Sequence, residues 1–236
     1  MNLRQLIDIW SKLNHFVFGC HCRLCGCPVS DAAGLCLACR EDLPTLGDAQ
    51  CPQCALTAMA GQHCGQCLRV SPAFDRTLAL FSYAHPVDAL LQRYKYQQKL
   101  DLGVTFASLW QERLAGHTLP DMIVPMPLHP TRIKERGFNQ SLEIARPLAR
   151  RLQLPLDARA CQRTRHTPPQ ASLPLKARVK NMRGAFACNR RFDGLRIALI
   201  DDVMTTGASL HELAKVIKAA GATEVECWVV ARTLPR

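Results

Sequence analysis

A pair of acidic residues followed by a run of small and hydroxylated residues is the clearest chemical signal in this 236-residue chain. The acids are Asp201 and Asp202, and the run comprises Thr205, Thr206, Gly207, Ala208 and Ser209. A loop of this composition ahead of a helix presents backbone N–H groups and hydroxyls, which hold a phosphate dianion together with the helix N-terminus. Gly207 permits a close approach or a positive φ. Because carboxylates repel a phosphate, we expect the two acids to accept hydrogen bonds from ribose hydroxyls, or to polarise a sugar, beside it.

The residues around this loop predict a strand, a loop, a helix and a second strand. Residues 197–200 are all apolar, as is typical of a strand buried in a parallel sheet. Apolar residues recur at helical spacing from Leu210 to Ala220, Gly221 is placed to end that helix, and residues 225–230 predict the next strand. This order puts the loop at the edge of the sheet where ligands bind. The alternative is an ordinary strand-to-helix turn with two solvated aspartates, which the full context disfavours.

Cysteine is the second unusual feature, since ten of the 13 cysteines lie between residues 20 and 67. Eight of them form four consecutive CxxC pairs: Cys22 and Cys25, Cys36 and Cys39, Cys51 and Cys54, and Cys64 and Cys67. A CxxC turn directs two thiolates at one point, so two turns complete a tetrahedral zinc site with no open position for catalysis. The four pairs therefore predict two structural zinc ions. We favour neighbouring turns over a cross-braced pairing, and zinc over a redox dithiol or an iron–sulfur cluster.

The beginning of the chain predicts a cytoplasmic protein with reduced thiols. The partly apolar stretch 3–18 is interrupted by Asp8 and Lys12, and no small-residue cleavage site follows it. The spacing of its apolar residues predicts a short amphipathic helix that packs on the rest of the chain. No apolar run reaches the roughly 18 residues of a membrane span, and the 48% hydrophobic content excludes a disordered chain.

Positive charge is concentrated in the second part of the chain. Residues 1–74 are neutral, whereas residues 75–236 carry the whole net charge of +11. The basic belt, residues 132–196, holds 16 Lys and Arg against four acids. This excess predicts an anionic partner, either the phosphates of a small molecule or a nucleic-acid backbone, with a merely solvated surface as the alternative. Interleaved prolines predict a mobile loop around residues 160–182 that can clamp a pyrophosphate or follow a single strand.

Several motifs together resemble a known family. Residues 197–209 resemble the phosphoribosyl pyrophosphate signature of type I phosphoribosyltransferases. The other motifs are VPMPLHP (124–130), RGFNQS (136–141), RTR (163–165), TPPQ (167–170) and RVKN (178–181). Behind four CxxC pairs, this set resembles the ComF/GntX family of competence and DNA-utilisation proteins, and the likeness runs from Cys22 to Leu234.

The resemblance implies an α/β fold, with a type I phosphoribosyltransferase-like parallel sheet flanked by helices behind a small, double zinc ribbon-like domain. It implies that Asp201 and Asp202 bind the ribose as the catalytic pair, that residues 205–209 wrap the 5′-phosphate, and that Mg²⁺ accompanies the pyrophosphate. The residues expected at the pyrophosphate, or in the loop over it, are Pro125, Pro127, Arg136, Gly137, Asn139, Gln140, Arg163, Arg165, Gln170 and Arg178.

We divide the chain into an N-terminal segment (1–21), a zinc-binding domain (22–73) and a phosphoribosyltransferase-like domain (74–236). Two functions from different classes follow from these features. The first function is an enzyme that transfers or hydrolyses the phosphoribosyl group of phosphoribosyl pyrophosphate or a related sugar phosphate during uptake or use of DNA. The alternative is a non-catalytic factor that keeps this site, senses a ligand or binds single-stranded DNA, and works with DNA-uptake proteins. No residues that would form a pocket for an acceptor base are recognisable.

Overall fold

A four-stranded parallel sheet forms the centre of the structure, a computed structural model that describes residues 20–31, 33–165 and 182–235. In chain order the strands are β1 (Cys20–His21), β2 (Pro28–Val29), β3 (Arg76–Ser82), β4 (Met122–Pro125), β5 (Cys161–Arg163), β6 (Phe186–Cys188), β7 (Arg196–Met204) and β8 (Glu224–Arg232). The helices are α1 (Leu37–Glu41), α2 (Gly65–Arg69), α3 (Val87–Tyr96), α4 (Asp101–Arg113), α5 (Pro130–Arg136), α6 (Gln140–Leu152) and α7 (Ala208–Ala219). The central sheet has the order β3-β8-β7-β4, and β5 pairs with β6 in a separate antiparallel ladder.

The predicted strand, loop, helix and strand are confirmed, with shifted bounds. Strand β7 continues past the four apolar residues to Met204, so Asp201 and Asp202 lie within its last four residues rather than after it. Helix α7 ends at Ala219, and Gly221 follows with φ of 107°. Residues 87–109 predict a helical region that carries Arg93, Lys95 and Lys99. The structure forms two helices there, α3 and α4, which are separated around Gln98, a residue with φ of 52°.

Alternation along β7 divides the core between the two faces of the sheet. Ile197 and Leu199 face a core that α7 covers, whereas Ala198 and Ile200 face a core that α3, α4 and α6 cover. All four are fully buried, as a parallel strand covered on both faces requires. On the second face the indole rings of Trp110 and Trp228 stack with their centroids 5.7 Å apart.

The first two CxxC pairs and the last two contribute buried cysteines to different cores. Cys22 packs with the core on the face of α3 and α4, whereas Cys51, Cys54 and Cys67 pack with the core on the face of α7. These cysteines thus extend both hydrophobic layers of the body. Across the described residues, no helix has the length and apolar character needed to cross a membrane.

Part of the predicted mobile loop is ordered in the structure. Residues 161–163 form β5 and pair with β6, so the expectation of a loop beginning at residue 160 is wrong at that end. The pairing is possible because Cys161 is an apolar, buried residue that fills the core while its neighbour Gln162 faces outward. Gln170, Arg178 and the N-terminal amphipathic stretch lie outside the described residues.

Candidate functional site

The turn after β7 joins the strand to the start of α7 through a left-handed glycine. Gly207 has φ of 76° and is the N-cap residue of the helix. The Thr206 hydroxyl accepts a hydrogen bond from the Ala208 N–H at 3.2 Å, which fixes the turn between them. A Cβ at Gly207 would lie 2.7 Å from the terminal methyl carbon of Met204, which is the flexible end of a side chain and can shift, so the positive φ is the main reason that the turn requires glycine. Thr205 and Ser209 flank this turn, and their part in a phosphate cradle stays a prediction.

The two aspartates form a bonded pair at the carboxyl end of β7. One Asp201 oxygen accepts hydrogen bonds from the Asp202 N–H at 2.9 Å and from the Ser141 hydroxyl at 3.0 Å. Burial and the neighbouring Asp202 carboxylate raise the pKa of Asp201 to about 7. The site can therefore hold one proton near neutral pH, while Asp202 remains the partner of a cation.

Lys95 of α3 is that cation. Its Nζ lies 2.8 Å from Oδ2 of Asp202, and both side chains are largely buried. Burial disfavours its charged form, but Asp202 and Asp201 outweigh that cost and raise the pKa of Lys95. Sequence reasoning noted Lys95 only as a basic residue of a helix. Its role depends on a contact across more than 100 positions, which no local pattern reveals.

The RGFNQS segment, which joins α5 to α6, contacts the acidic pair through Ser141. The Asn139 side chain accepts from the Ser141 N–H at 3.1 Å as the N-cap of α6, and donates to the Met126 carbonyl at 3.0 Å. It thereby ties the start of α6 to the end of β4 and aims the Ser141 hydroxyl at Asp201. Gln140 is buried and its carbonyl accepts the Tyr94 hydroxyl at 2.8 Å. Ser141 belonged to a recognised motif but was not predicted to contact Asp201.

The remaining predicted pyrophosphate residues divide into two groups. Pro125 and Pro127 are buried at and just beyond the end of β4, and Gly137 ends α5 with φ of 83°. The Arg136 guanidinium lies over the ring of Tyr96, 5.7 Å from its centroid, beside the helix that carries Lys95. Pro125 and Pro127 thus lie at the carboxyl end of β4 and Arg136 interacts electrostatically with Lys95, whereas their contact with a pyrophosphate stays a prediction.

The arginines of β5 and of the residues beyond it form the second group. The Arg163 guanidinium lies over the Phe186 ring at 5.9 Å. Burial and the nearby Arg132 lower the pKa of Arg163, whereas Asp201 raises it, so this arginine lies within electrostatic reach of the acidic pair. Arg165 is exposed and donates to the Arg183 carbonyl at 2.9 Å, away from Asp201.

Two groups of four cysteines have the geometry of metal sites. Within each group the sulfur atoms all lie within 4.8 Å of one another, and the groups are Cys22, Cys25, Cys36 and Cys39, and Cys51, Cys54, Cys64 and Cys67. The Sγ atoms of Cys25 and Cys36 are 3.7 Å apart, and those of Cys54 and Cys64 are 3.5 Å apart. A zinc ion with Zn–S bonds of 2.3 Å in a tetrahedron sets its sulfurs about 3.8 Å apart, so both groups fit zinc. The predicted pairing of neighbouring CxxC turns is confirmed.

A buried arginine connects the second cysteine group to the turn that follows β7. Arg232, at the end of β8 and 2% exposed, donates from Nε to the Cys54 carbonyl at 2.8 Å. Its Nη1 donates to the Met204 carbonyl at 2.9 Å and also to the Thr205 carbonyl. One guanidinium thus holds the backbone of a zinc ligand against the backbone of the loop, a contact that the sequence did not predict.

Comparison with known proteins identifies both parts of the chain. A double zinc ribbon domain model matches residues 13–68, and a phosphoribosyl transferase domain model matches residues 139–234. "Competence protein F" of Haemophilus influenzae is 33% identical over 93% of this chain and 99% of that protein. "DNA utilization protein YhgH" of Escherichia coli K12 is 34% identical over 90% of this chain and 97% of that protein. A solved purine phosphoribosyltransferase from Pyrococcus horikoshii is 15% identical, covers 67% of this chain and 92% of its own, and has a TM-score of 0.34.

Proposed function

The chain belongs to the ComF/GntX family, with a double zinc ribbon and a phosphoribosyltransferase-type domain, and on that basis we propose that it binds phosphoribosyl pyrophosphate or a related sugar phosphate. Its relatives are named for competence and for DNA utilisation, and we place this binding within the uptake or use of DNA. The observation that carries the proposal is the meeting of the Asp201–Asp202 pair with the Gly207 turn at the carboxyl end of β7.

Each part of this site has a distinct task in the proposal. The turn from Thr205 to Ser209, at the start of α7, offers N–H groups and hydroxyls to a 5′-phosphate. Asp201 and Asp202 accept hydrogen bonds from the ribose hydroxyls, and Ser141 holds Asp201 in position. Fixing both ends of the sugar orients its anomeric carbon and favours the positive charge that develops there during transfer. The two aspartates are therefore the proposed catalytic pair.

The pyrophosphate is assigned to the basic residues around the ends of β4 and β5. Arg163 interacts electrostatically with Asp201, and Arg136 interacts electrostatically with Lys95, the partner of Asp202. Gln170 and Arg178 stay in the proposal as residues of the adjoining segment. Mg²⁺, bound through the pyrophosphate oxygens with the carboxylates at hand, would neutralise charge that these arginines do not cover. The zinc ions have a structural task, because four thiolates leave them no open position.

Calorimetric titration with phosphoribosyl pyrophosphate and Mg²⁺ tests the proposal. Asp202→Asn should weaken binding by about tenfold to a hundredfold, since a hydrogen bond to a charged group contributes about 1.5–3 kcal/mol. Gly207→Val should abolish it, because a β-branched residue resists φ of 76° and its side chain would obstruct the backbone N–H groups of the turn. Asp48→Asn, an exposed carboxylate of the zinc ribbon part, is the matched control and should bind like the wild type.

The outcomes separate clearly. If the wild-type chain binds no sugar phosphate at millimolar concentration, the proposed site is wrong. If Gly207→Val binds as well as the wild type while its zinc content and folding are intact, the phosphate is held by other residues. A titration with ribose 5-phosphate alone separates the cradle and the two aspartates from the pyrophosphate residues, since that ligand carries no pyrophosphate.

A second candidate function rests on the basic belt. The excess of 16 Lys and Arg over four acids in residues 132–196 suits a single-stranded DNA backbone. In the described part of this belt, Arg132, Arg146, Arg190 and Arg191 form ion pairs with acids two to 33 positions away. Exposed pairs of this kind exchange readily for phosphate, because they contribute only about 0–1 kcal/mol. DNA binding without catalysis would then leave the sugar-phosphate site as a sensor.

A further inference from the structure

Two cysteines outside the zinc ribbons face each other across the small ladder of β5 and β6. Cys161 and Cys188 are direct partners in the antiparallel register, and their Sγ atoms are 2.9 Å apart. The Asn189 N–H donates to the Ala160 carbonyl one position outside this pair, and the Thr164 N–H donates to the Ala185 carbonyl three positions inside it. Alternation between these bonds makes Cys161 and Cys188 a non-hydrogen-bonded pair, where Cα atoms approach to about 4.5 Å. That separation is within the range that a disulfide spans.

These two thiols are separate from the metal sites. The groups of metal-ligating residues found among the described residues contain only the eight CxxC cysteines. Cys161 and Cys188 lie on strands of the body more than 90 positions further along the chain. A zinc role does not account for their contact. Cys227, also in the body, is fully buried in β8 and serves as a comparison.

The two sulfur atoms differ in exposure and in acidity. Cys161 is 4% exposed, whereas Cys188 is only partly buried. The hydrogen bond between the thiols lowers the pKa of Cys188 and raises that of Cys161. A partly exposed thiol with a lowered pKa beside a buried thiol is the arrangement of an attacking and a resolving cysteine.

We propose that Cys161 and Cys188 form a reversible disulfide with a low-molecular-weight disulfide, such as oxidised glutathione, as the oxidant. The Cys188 thiolate attacks one sulfur of the oxidant, breaks its S–S bond and releases the first thiolate. The Cys161 thiol then attacks Cys188 Sγ, breaks the mixed disulfide and passes its proton to solvent while the second thiolate leaves. Two electrons reach the oxidant, which ends as two thiols after protonation.

The disulfide would fix the ladder that presents Arg163 to the acidic pair. Arg163 lies two residues after Cys161, opposite Phe186 in the same ladder. A crosslink at the adjacent non-hydrogen-bonded position holds β5 on β6 and so restrains this arginine. Formation of the disulfide does not depend on the proposed function; only an effect on ligand affinity does.

Peptide mapping of the zinc-loaded chain after treatment with oxidised glutathione tests this inference. We expect one Cys161–Cys188 crosslink per chain, reversed by dithiothreitol, without loss of zinc. Cys161→Ser should trap glutathione on Cys188, because no resolving thiol remains, and Cys188→Ser should form neither product. Cys227→Ala, which alters a buried thiol outside the ladder, should still form the crosslink.

The unmutated chain alone decides the main point, so a variant that fails to fold leaves it testable. The absence of a Cys161–Cys188 crosslink in the zinc-loaded chain, under conditions that oxidise a free dithiol peptide, would overturn the proposal. A crosslink together with glutathione trapped on Cys161 in the Cys188→Ser variant would reverse the assigned roles. Titration of reduced and oxidised protein with phosphoribosyl pyrophosphate then measures the effect on the sugar-phosphate site separately.

Discussion

Arg232 offers the sharpest test of how the zinc ribbon holds the backbone of the turn that follows β7. It is 2% exposed, and its guanidinium donates to the carbonyls of Cys54, Met204, Thr205 and Thr233. Among the described residues, no carboxylate forms an ion pair with this guanidinium. The anion next to it is the second cysteine group, whose four thiolates around Zn²⁺ carry a net charge of −2. We infer that this cluster is the counter-charge that makes the buried guanidinium tolerable.

The cost of Arg232→Met follows from which carbonyls lose their partners. The Met204 carbonyl also accepts the Thr233 N–H at 3.0 Å and stays bonded. Thr233 is only partly buried, so water can replace the bond that its carbonyl loses. The carbonyls of Cys54 and Thr205 have no other hydrogen bond among the described residues. Leaving the buried Cys54 carbonyl unpaired costs about 1–3 kcal/mol and the partly buried Thr205 carbonyl costs less, so we expect a loss of about 2–4 kcal/mol in the free energy of unfolding.

Urea denaturation of the zinc-loaded chain, followed through the buried Trp110 and Trp228, measures this loss. Arg196→Met is the matched control: Arg196 is an arginine of β7 whose side chain is 38% exposed and pairs with Asp121, so its removal should cost no more than about 1 kcal/mol. Sugar-phosphate affinity should fall in Arg232→Met and stay unchanged in Arg196→Met, because only Arg232 holds the Thr205 backbone. An Arg232→Met chain within about 1 kcal/mol of the wild type, with unaltered affinity, would refute this reasoning.

Three further expectations concern the metal, the basic belt and pH. Metal analysis of protein purified without chelator should give about two zinc ions per chain, and less than about one, or intact disulfides among the CxxC cysteines, would contradict the two-site assignment. Single-stranded DNA should bind weakly and without sequence preference, and replacing Arg163 and Arg165 with alanine should reduce the dependence of affinity on salt; tight, salt-insensitive binding would count against the belt. Since the pKa of Asp201 is raised to about 7, its contribution to stability is full below its unfolded value of about 4 and is lost as the pH rises through 7. Asp201→Asn should therefore flatten the fall in unfolding free energy between about pH 4 and 7, and an unchanged slope in that variant would remove Asp201 as its source.

Local pattern was sufficient for the elements whose signal lies in consecutive residues. Residues 197–200 are apolar on both faces, and Gly207 stands where the turn needs a positive φ, so the strand, the loop and the helix α7 could be predicted together. The pairing of neighbouring CxxC turns was predictable for a similar reason, since close spacing along the chain keeps their thiolates close in space.

Contacts between distant segments could not be predicted in the same way. Lys95, Ser141 and Arg232 lie on three different elements. Their partners Asp202, Asp201 and Met204 all lie in the last residues of β7, and the fold brings the three elements to that end of the strand. The break between α3 and α4 was missed because residues 97–100 are polar or charged apart from Leu100 but contain no glycine or proline to mark a helix end. The ladder of β5 and β6 was hidden for a different reason, because its strands are three residues long and prolines follow the first of them.

The charge balance of the acidic pair gives a physical reason why the proposed sugar-phosphate site would need a bound cation. Lys95 lies 2.8 Å from Asp202 and offsets the charge of that carboxylate. With Asp201 ionised the three groups carry a net charge of −1, which opposes a polyanionic ligand at the point where its ribose must sit. Protonation of Asp201 removes that charge but also removes an acceptor for a ribose hydroxyl. A divalent cation brought in with the pyrophosphate resolves this conflict, because it offsets the negative charge without competing for the ribose, and this is the physical reason for assigning Mg²⁺ to the ligand rather than to a preformed protein site.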